Sequence, residues 1–80
     1  MTDDPPGTLP RRYYNYRIRV QAYMQEHPAQ RTGQAYYNVL YEFDPEAAQQ
    51  IHGTPLDPFL GGYETLSEFK AWLRARWGDI

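Results

Sequence analysis

Ser67 is the single serine of this chain, and His27 and His52 are its only histidines. Nucleophilic catalysis needs a nucleophile, a base and an orienting group within hydrogen-bond reach of one another. Ser67 falls inside Thr65-Leu-Ser-Glu68, which reads as a capping box: Thr65 accepts from the Glu68 N–H while the Glu68 carboxylate reaches back. His27 and His52 each fall at the C-terminal end of an expected helix, where an imidazole caps carbonyls or meets the negative end of the dipole. Glu42, Asp44 and Glu46 could supply a carboxylate pair for acid–base work. Asp44 and Glu46, however, have the residue types that start a helix. Gly61-Gly62 is a turn rather than a phosphate-cradling loop. There is no cysteine, so no thiolate metal site or disulfide framework exists, and two histidines would need carboxylate help to hold zinc. This inventory points away from an enzyme and calls for no metal and no cofactor.

The richer supply is aromatic. Eight Tyr, three Phe and two Trp stand in 80 residues, and GQAYYNVLYEF, residues 33–43, holds three of the tyrosines. Each ring buries on the order of 150–250 Å². A chain this short has a thin core and lacks disulfide staples, so large rings are expected to replace them. Thirteen rings exceed what one small core hides, and Tyr, Trp and Arg are the types that dominate interface hot spots.

The elements that must position these side chains follow from periodicity. Residues 1–10, MTDDPPGTLP, are too polar and proline-rich to order themselves and read as a flexible lead-in to a single helical domain over 11–80. YRIRVQA alternates like a strand, yet Tyr13, Tyr16, Val20, Tyr23, Met24 and His27 share one helical stripe over a longer window, so a helix is expected over 12–27, stopped by Pro28. A second helix, 34–43, buries Tyr36, Val39, Leu40 and Phe43 and turns Tyr37 and Tyr41 to its shoulder, with Asn38 and Glu42 toward water. Asp44 as N-cap, Pro45 at the first position and Gly53 after the end frame a short helix over 45–52, whose apolar side is Ala47, Ala48 and Ile51. TPLDPFLGGY is a structured loop with Leu56, Phe59 and Leu60 as plugs. A fourth helix over 65–77 carries Leu66, Phe69, Leu73 and Trp77 inward and Trp72 on its shoulder. The fold class is all-α, a four-helix small domain. Its expected core is Tyr16, Val20, Tyr23, Met24, Tyr36, Leu40, Phe43, Ile51, Phe59, Leu66, Phe69 and Leu73.

Net charge is −2, which disfavours a general nucleic-acid or membrane binder. Its distribution is uneven. Arg11, Arg12, Arg17, Arg19 and Arg31 precede a stretch without any Lys or Arg, and Lys70, Arg74 and Arg76 follow it. No apolar run approaches the roughly 18 residues of a membrane span, and the acidic start is no signal peptide, so a cytoplasmic protein is expected. The Asp44-Pro45 junction resembles a helix-turn-helix, but the helix after it has no Lys or Arg and opens on Glu46, where phosphate should sit.

From Arg31 onward the pattern R-x-G-Q-A-Y-x-N-V-L, then P-x-x-A-x-x-I-x-G-T, D-P-F and F-x-x-W-L resembles a group of small proteins of bacteriophages and bacterial mobile elements. That resemblance implies a phage accessory product acting in the bacterial cytoplasm by binding and blocking a host protein complex, similar in kind to anti-CRISPR inhibitors. The expected partner surface is Tyr14, Tyr37, Tyr41 and Trp72 beside Glu42, Asp44 and Glu46. The alternative is a small DNA- or RNA-binding protein using Arg17, Arg19, Lys70 and Arg74, a patch that requires the first and last helices to lie side by side. A homodimer sealed by the surplus rings is the remaining use.

Overall fold

The structure is a computed structural model that describes residues 11–59 and 61–78. The expected lead-in at residues 1–10 and the Leu60 plug lie outside the described residues. The described chain forms four helices, α1 (Arg11–Glu26), α2 (Thr32–Phe43), α3 (Pro45–Ile51) and α4 (Tyr63–Gly78), with no strand among the described residues. The alternating stretch in α1 is helical, and burial shows why: Tyr13, Tyr16 and Val20 are buried, whereas Ile18, which a strand would place beside Tyr16 and Val20, is half-exposed.

α1 and α2 run antiparallel. Near one end the Arg12 guanidinium donates to the Phe43 carbonyl (2.9 Å); farther along, Asn38 Nδ2 donates to the Tyr23 hydroxyl (3.1 Å). α4 packs on α1 and α3 on α2. Tyr16 sits at the junction. Its hydroxyl donates to the Tyr36 carbonyl (2.5 Å), and Tyr36, Phe43 and Trp77 meet its ring edge-on at 5.9, 5.6 and 5.3 Å. Such edge-on pairs add about 0.5–1.5 kcal/mol each beyond area burial. The rings do replace the missing staples.

Several expectations are corrected by packing. Tyr23, Met24, Phe43 and Phe59 are only half-buried and Ala35 joins the core, while Tyr13, Val39, Ala47 and Ala48, each on an expected apolar face, are buried. α2 and α3 are separated by Asp44 alone, so their backbones approach closely and small side chains occupy the contact. Asn38 faces inward, donating to Tyr23 and to Gln30 Oε1 (3.2 Å). α4 begins at Tyr63, so Thr65 lies inside its first turn, the Leu66 N–H donates to the Gly62 carbonyl (3.1 Å), and the anticipated capping box does not form.

The loop after α3 is plugged by Asp57 and Pro58, with Leu56 and Phe59 half-buried around them. Asp57 accepts from the Gly53 N–H (2.8 Å) and the Phe59 N–H (2.9 Å), so its burial leaves the carboxylate satisfied. Gly53 has φ +76°, the left-handed conformation expected of a residue just past a helix end. Gly33 faces the Pro58 carbonyl oxygen, which a Cβ would approach to 2.0 Å.

Candidate functional site

The expected partner surface is largely used inside the molecule. Asp44 caps α3 by accepting from the Ala47 N–H (3.2 Å) and also accepts from Arg76 Nε (3.0 Å) and Trp77 Nε1 (2.9 Å). Burial opposes its ionisation, but the bonds from Trp77, Arg76 and Ala47 outweigh that and hold its carboxyl below the ordinary value. Tyr37 lies edge-on to Phe59 (5.7 Å) and beside His52, its hydroxyl 3.4 Å from the Ala48 carbonyl. Trp72 is half-buried, with the Arg76 guanidinium 5.6 Å from its ring. It walls an open groove of about 590 Å³ with Ile51, Pro55 and Leu56. Glu42 is exposed but paired with Arg19 (3.2 Å), and Glu46 is exposed in the first turn of α3. Tyr14 (57% exposed) and Tyr41 (49%) present rings to solvent.

The catalytic candidates are dispersed. His27 Nδ1 lies 3.1 Å from the Tyr23 carbonyl and its ring stacks on Tyr23 (4.1 Å), while His52 Nδ1 lies 3.7 Å from Asp57. Ser67 is exposed on α4, and among the described residues no hydrogen bond joins it to either histidine. No cluster of three metal-ligating side chains occurs among the described residues.

The basic residues divide into two populations. Arg12 and Arg76 are drawn to Asp44, Arg19 bridges Glu26 and Glu42, and Arg31 donates to the Phe59 carbonyl. Arg17, Lys70 and Arg74 have no carboxylate partner among the described residues. They are gathered by aromatic faces instead. The Arg17 guanidinium lies 5.8 Å from the Tyr13 ring and 5.9 Å from the Tyr36 ring. Lys70 Nζ shares Tyr36 at 5.2 Å, and Arg74 shares Tyr13 at 5.7 Å. α1 and α4 do lie side by side, which brings three of the four expected basic residues together and leaves Arg19 elsewhere, on the edge of α1 that faces Glu42.

A ring's quadrupole attracts a cation but carries no net charge. Three positive charges are therefore concentrated here without a carboxylate partner among the described residues. Lys70 registers the consequence: burial lowers its pKa, and repulsion from Arg17 and Arg74 lowers it further. Arg17 Nε is buried without a hydrogen-bond acceptor.

Tyr63, 89% exposed, was missed by sequence reasoning because it was assigned to the loop. With α4 starting there, Tyr63, Ser67, Lys70 and Arg74 fall at i, i+4, i+7 and i+11, one stripe of a single helix. Glu64 and Glu68 lie roughly 120–160° round the helix from Lys70, at 100° per residue. The spacing was visible in the sequence; the helix start was not. No helix of the described residues is long and apolar enough to cross a membrane. No protein-family model, curated protein or solved structure matches this chain.

Proposed function

We propose that this chain is a non-catalytic binding protein that holds nucleic acid on the strip formed by Arg17, Lys70 and Arg74. The observation that carries the reading is a set of three cations gathered on tyrosine rings, with no carboxylate partner among the described residues. Bringing like charges together without counter-ions is unfavourable in the free protein, and a phosphate backbone relieves it. The net charge of −2 does not conflict with this, because Asp44, Asp57, Glu26 and Glu42 are engaged by partners away from the strip. Three phosphate contacts predict that log K falls with log salt at a slope of about −2 for a single strand. Titrating salt against a fluorescent oligonucleotide measures it. Absence of binding at low salt refutes the reading.

A second reading is favoured by a separate observation. Tyr14 and Ile18, exposed one turn apart on α1, share its outward face with Gln21 and Gln25, all of them uncharged. Desolvating such a pair suits a protein partner. On this reading the chain is a phage-type inhibitor that occludes a host complex, such as a CRISPR effector, in the bacterial cytoplasm. Tyr14→Ser with Ile18→Ser would then abolish capture of the host complex while leaving oligonucleotide binding intact.

A further inference from the structure

We infer that the nucleic acid held by this strip is single-stranded, with a base against Tyr63 and the phosphates passing over Lys70, Arg74 and Arg17. The inference rests on the nucleic-acid reading above and names the form of the ligand.

The α4 stripe supplies the two components that single-strand binders combine, a cationic track and an open ring. Tyr63 precedes Lys70 by roughly 10 Å and Arg74 by roughly 16 Å along the axis, at about 1.5 Å per residue. Ser67 stands between ring and cations, where a hydroxyl donates to phosphate. Tyr63, Leu66, Ser67 and Lys70 line a shallow depression of about 110 Å³, so ring and ammonium border the same recess.

The other rings near the strip are not available for stacking. Tyr36 is buried with Arg17 and Lys70 against it, and Tyr13 is buried with Arg17 and Arg74 against it. Tyr63 has its faces open. A ring of that kind gains from an unpaired base, whose face is exposed, and gains little from a duplex, whose base faces are stacked within the helix.

Charge geometry separates the two ligands further. Glu64 and Glu68 occupy the outward side of α4, both exposed, beyond the cationic stripe. A duplex lying against α4 carries phosphates on two strands and would set one of them over these carboxylates. A single strand is narrow enough to follow Tyr63, Ser67, Lys70 and Arg74 alone.

Fluorescence anisotropy with a labelled single-stranded oligonucleotide and the duplex of the same sequence, at low salt, tests this. The single strand is expected to bind more tightly than the duplex. Tyr63→Ala should weaken the single strand about 5- to 150-fold, the range of one stacked base, and leave any duplex binding unchanged. Lys70→Gln with Arg74→Gln should weaken both ligands. Tyr63 is exposed, so circular dichroism is expected to report an unaltered fold in its variant. Equal or tighter binding of the duplex, or indifference of the single strand to Tyr63→Ala, overturns the inference while leaving the nucleic-acid reading in place. Failure of both ligands to bind overturns both and directs attention to a protein partner.

Discussion

Replacing Asp44 with alanine removes one side chain on which the α3 backbone and the Arg76 and Trp77 side chains depend. The helix cap it gives to Ala47 contributes about 1 kcal/mol. Its loss also leaves the partly buried Trp77 indole N–H without an acceptor, which costs about 1–3 kcal/mol. The exposed Arg76 pair adds at most about 1 kcal/mol. The expected loss is therefore roughly 2–5 kcal/mol, a large share of the stability available to so small a domain. At about 4–8 °C per kcal/mol, the melting temperature should fall by roughly 8–40 °C. Urea denaturation followed by circular dichroism gives the same quantity isothermally. Because the folded carboxyl lies below its ordinary value of 3.8, its ionised form is favoured by folding. Its stabilising contribution is present in full above about pH 4 and fades as the pH drops through the lower, folded value. The wild-type excess over the alanine variant should shrink with it. A loss of 1 kcal/mol or less at neutral pH, unchanged on acidification, would show that Asp44 caps α3 and does nothing for α4.

Two further outcomes test the packing. Burial, then repulsion from Tyr36 and Tyr13, raises the Tyr16 phenol well above 10.0, with Arg17 offsetting only part. The folded state thus keeps a proton that the unfolded chain releases, so stability is full below pH 10 and falls as the pH rises beyond it. Burial also raises the Tyr36 and Tyr37 phenols, so Tyr16→Phe should flatten part of that alkaline fall while lowering stability at neutral pH by about 0.5–1.5 kcal/mol. Gly33→Ala should lower stability by about 1–3 kcal/mol, because its methyl meets the Pro58 carbonyl. Gly53→Ala meets open space and should lose only about 1 kcal/mol, from its positive φ. Chemical denaturation of the two glycine variants side by side checks that order.

The helices were legible because their signals are local. Tyr13, Tyr16 and Val20 repeat at helical spacing; Asp44, Pro45 and Gly53 mark the ends of α3, and each acts as its residue type suggests. The start of α4 was harder. Thr65 to Glu68 offers a complete capping pattern, but Gly62 satisfies the Leu66 N–H and the helix begins earlier. That shift of one half-turn hid Tyr63 as part of the cationic stripe. The burial of Asp57 and Pro58 was illegible for a different reason: it depends on how closely the loop approaches the helices, which no window of residues encodes.

The order of side chains along the chain thus determined an all-α protein held by aromatic rings, since helical periodicity and end signals act between near neighbours. Which cations meet a carboxylate and which meet a ring, among the described residues, was decided only by the tertiary structure. Arg19 and Arg17 are two residues apart, yet one is turned to Glu42 and the other to Tyr13 and Tyr36, because positions two apart on a helix point to nearly opposite sides. Pairing across helices assigns the charge, and pairing across helices exists only once they have packed.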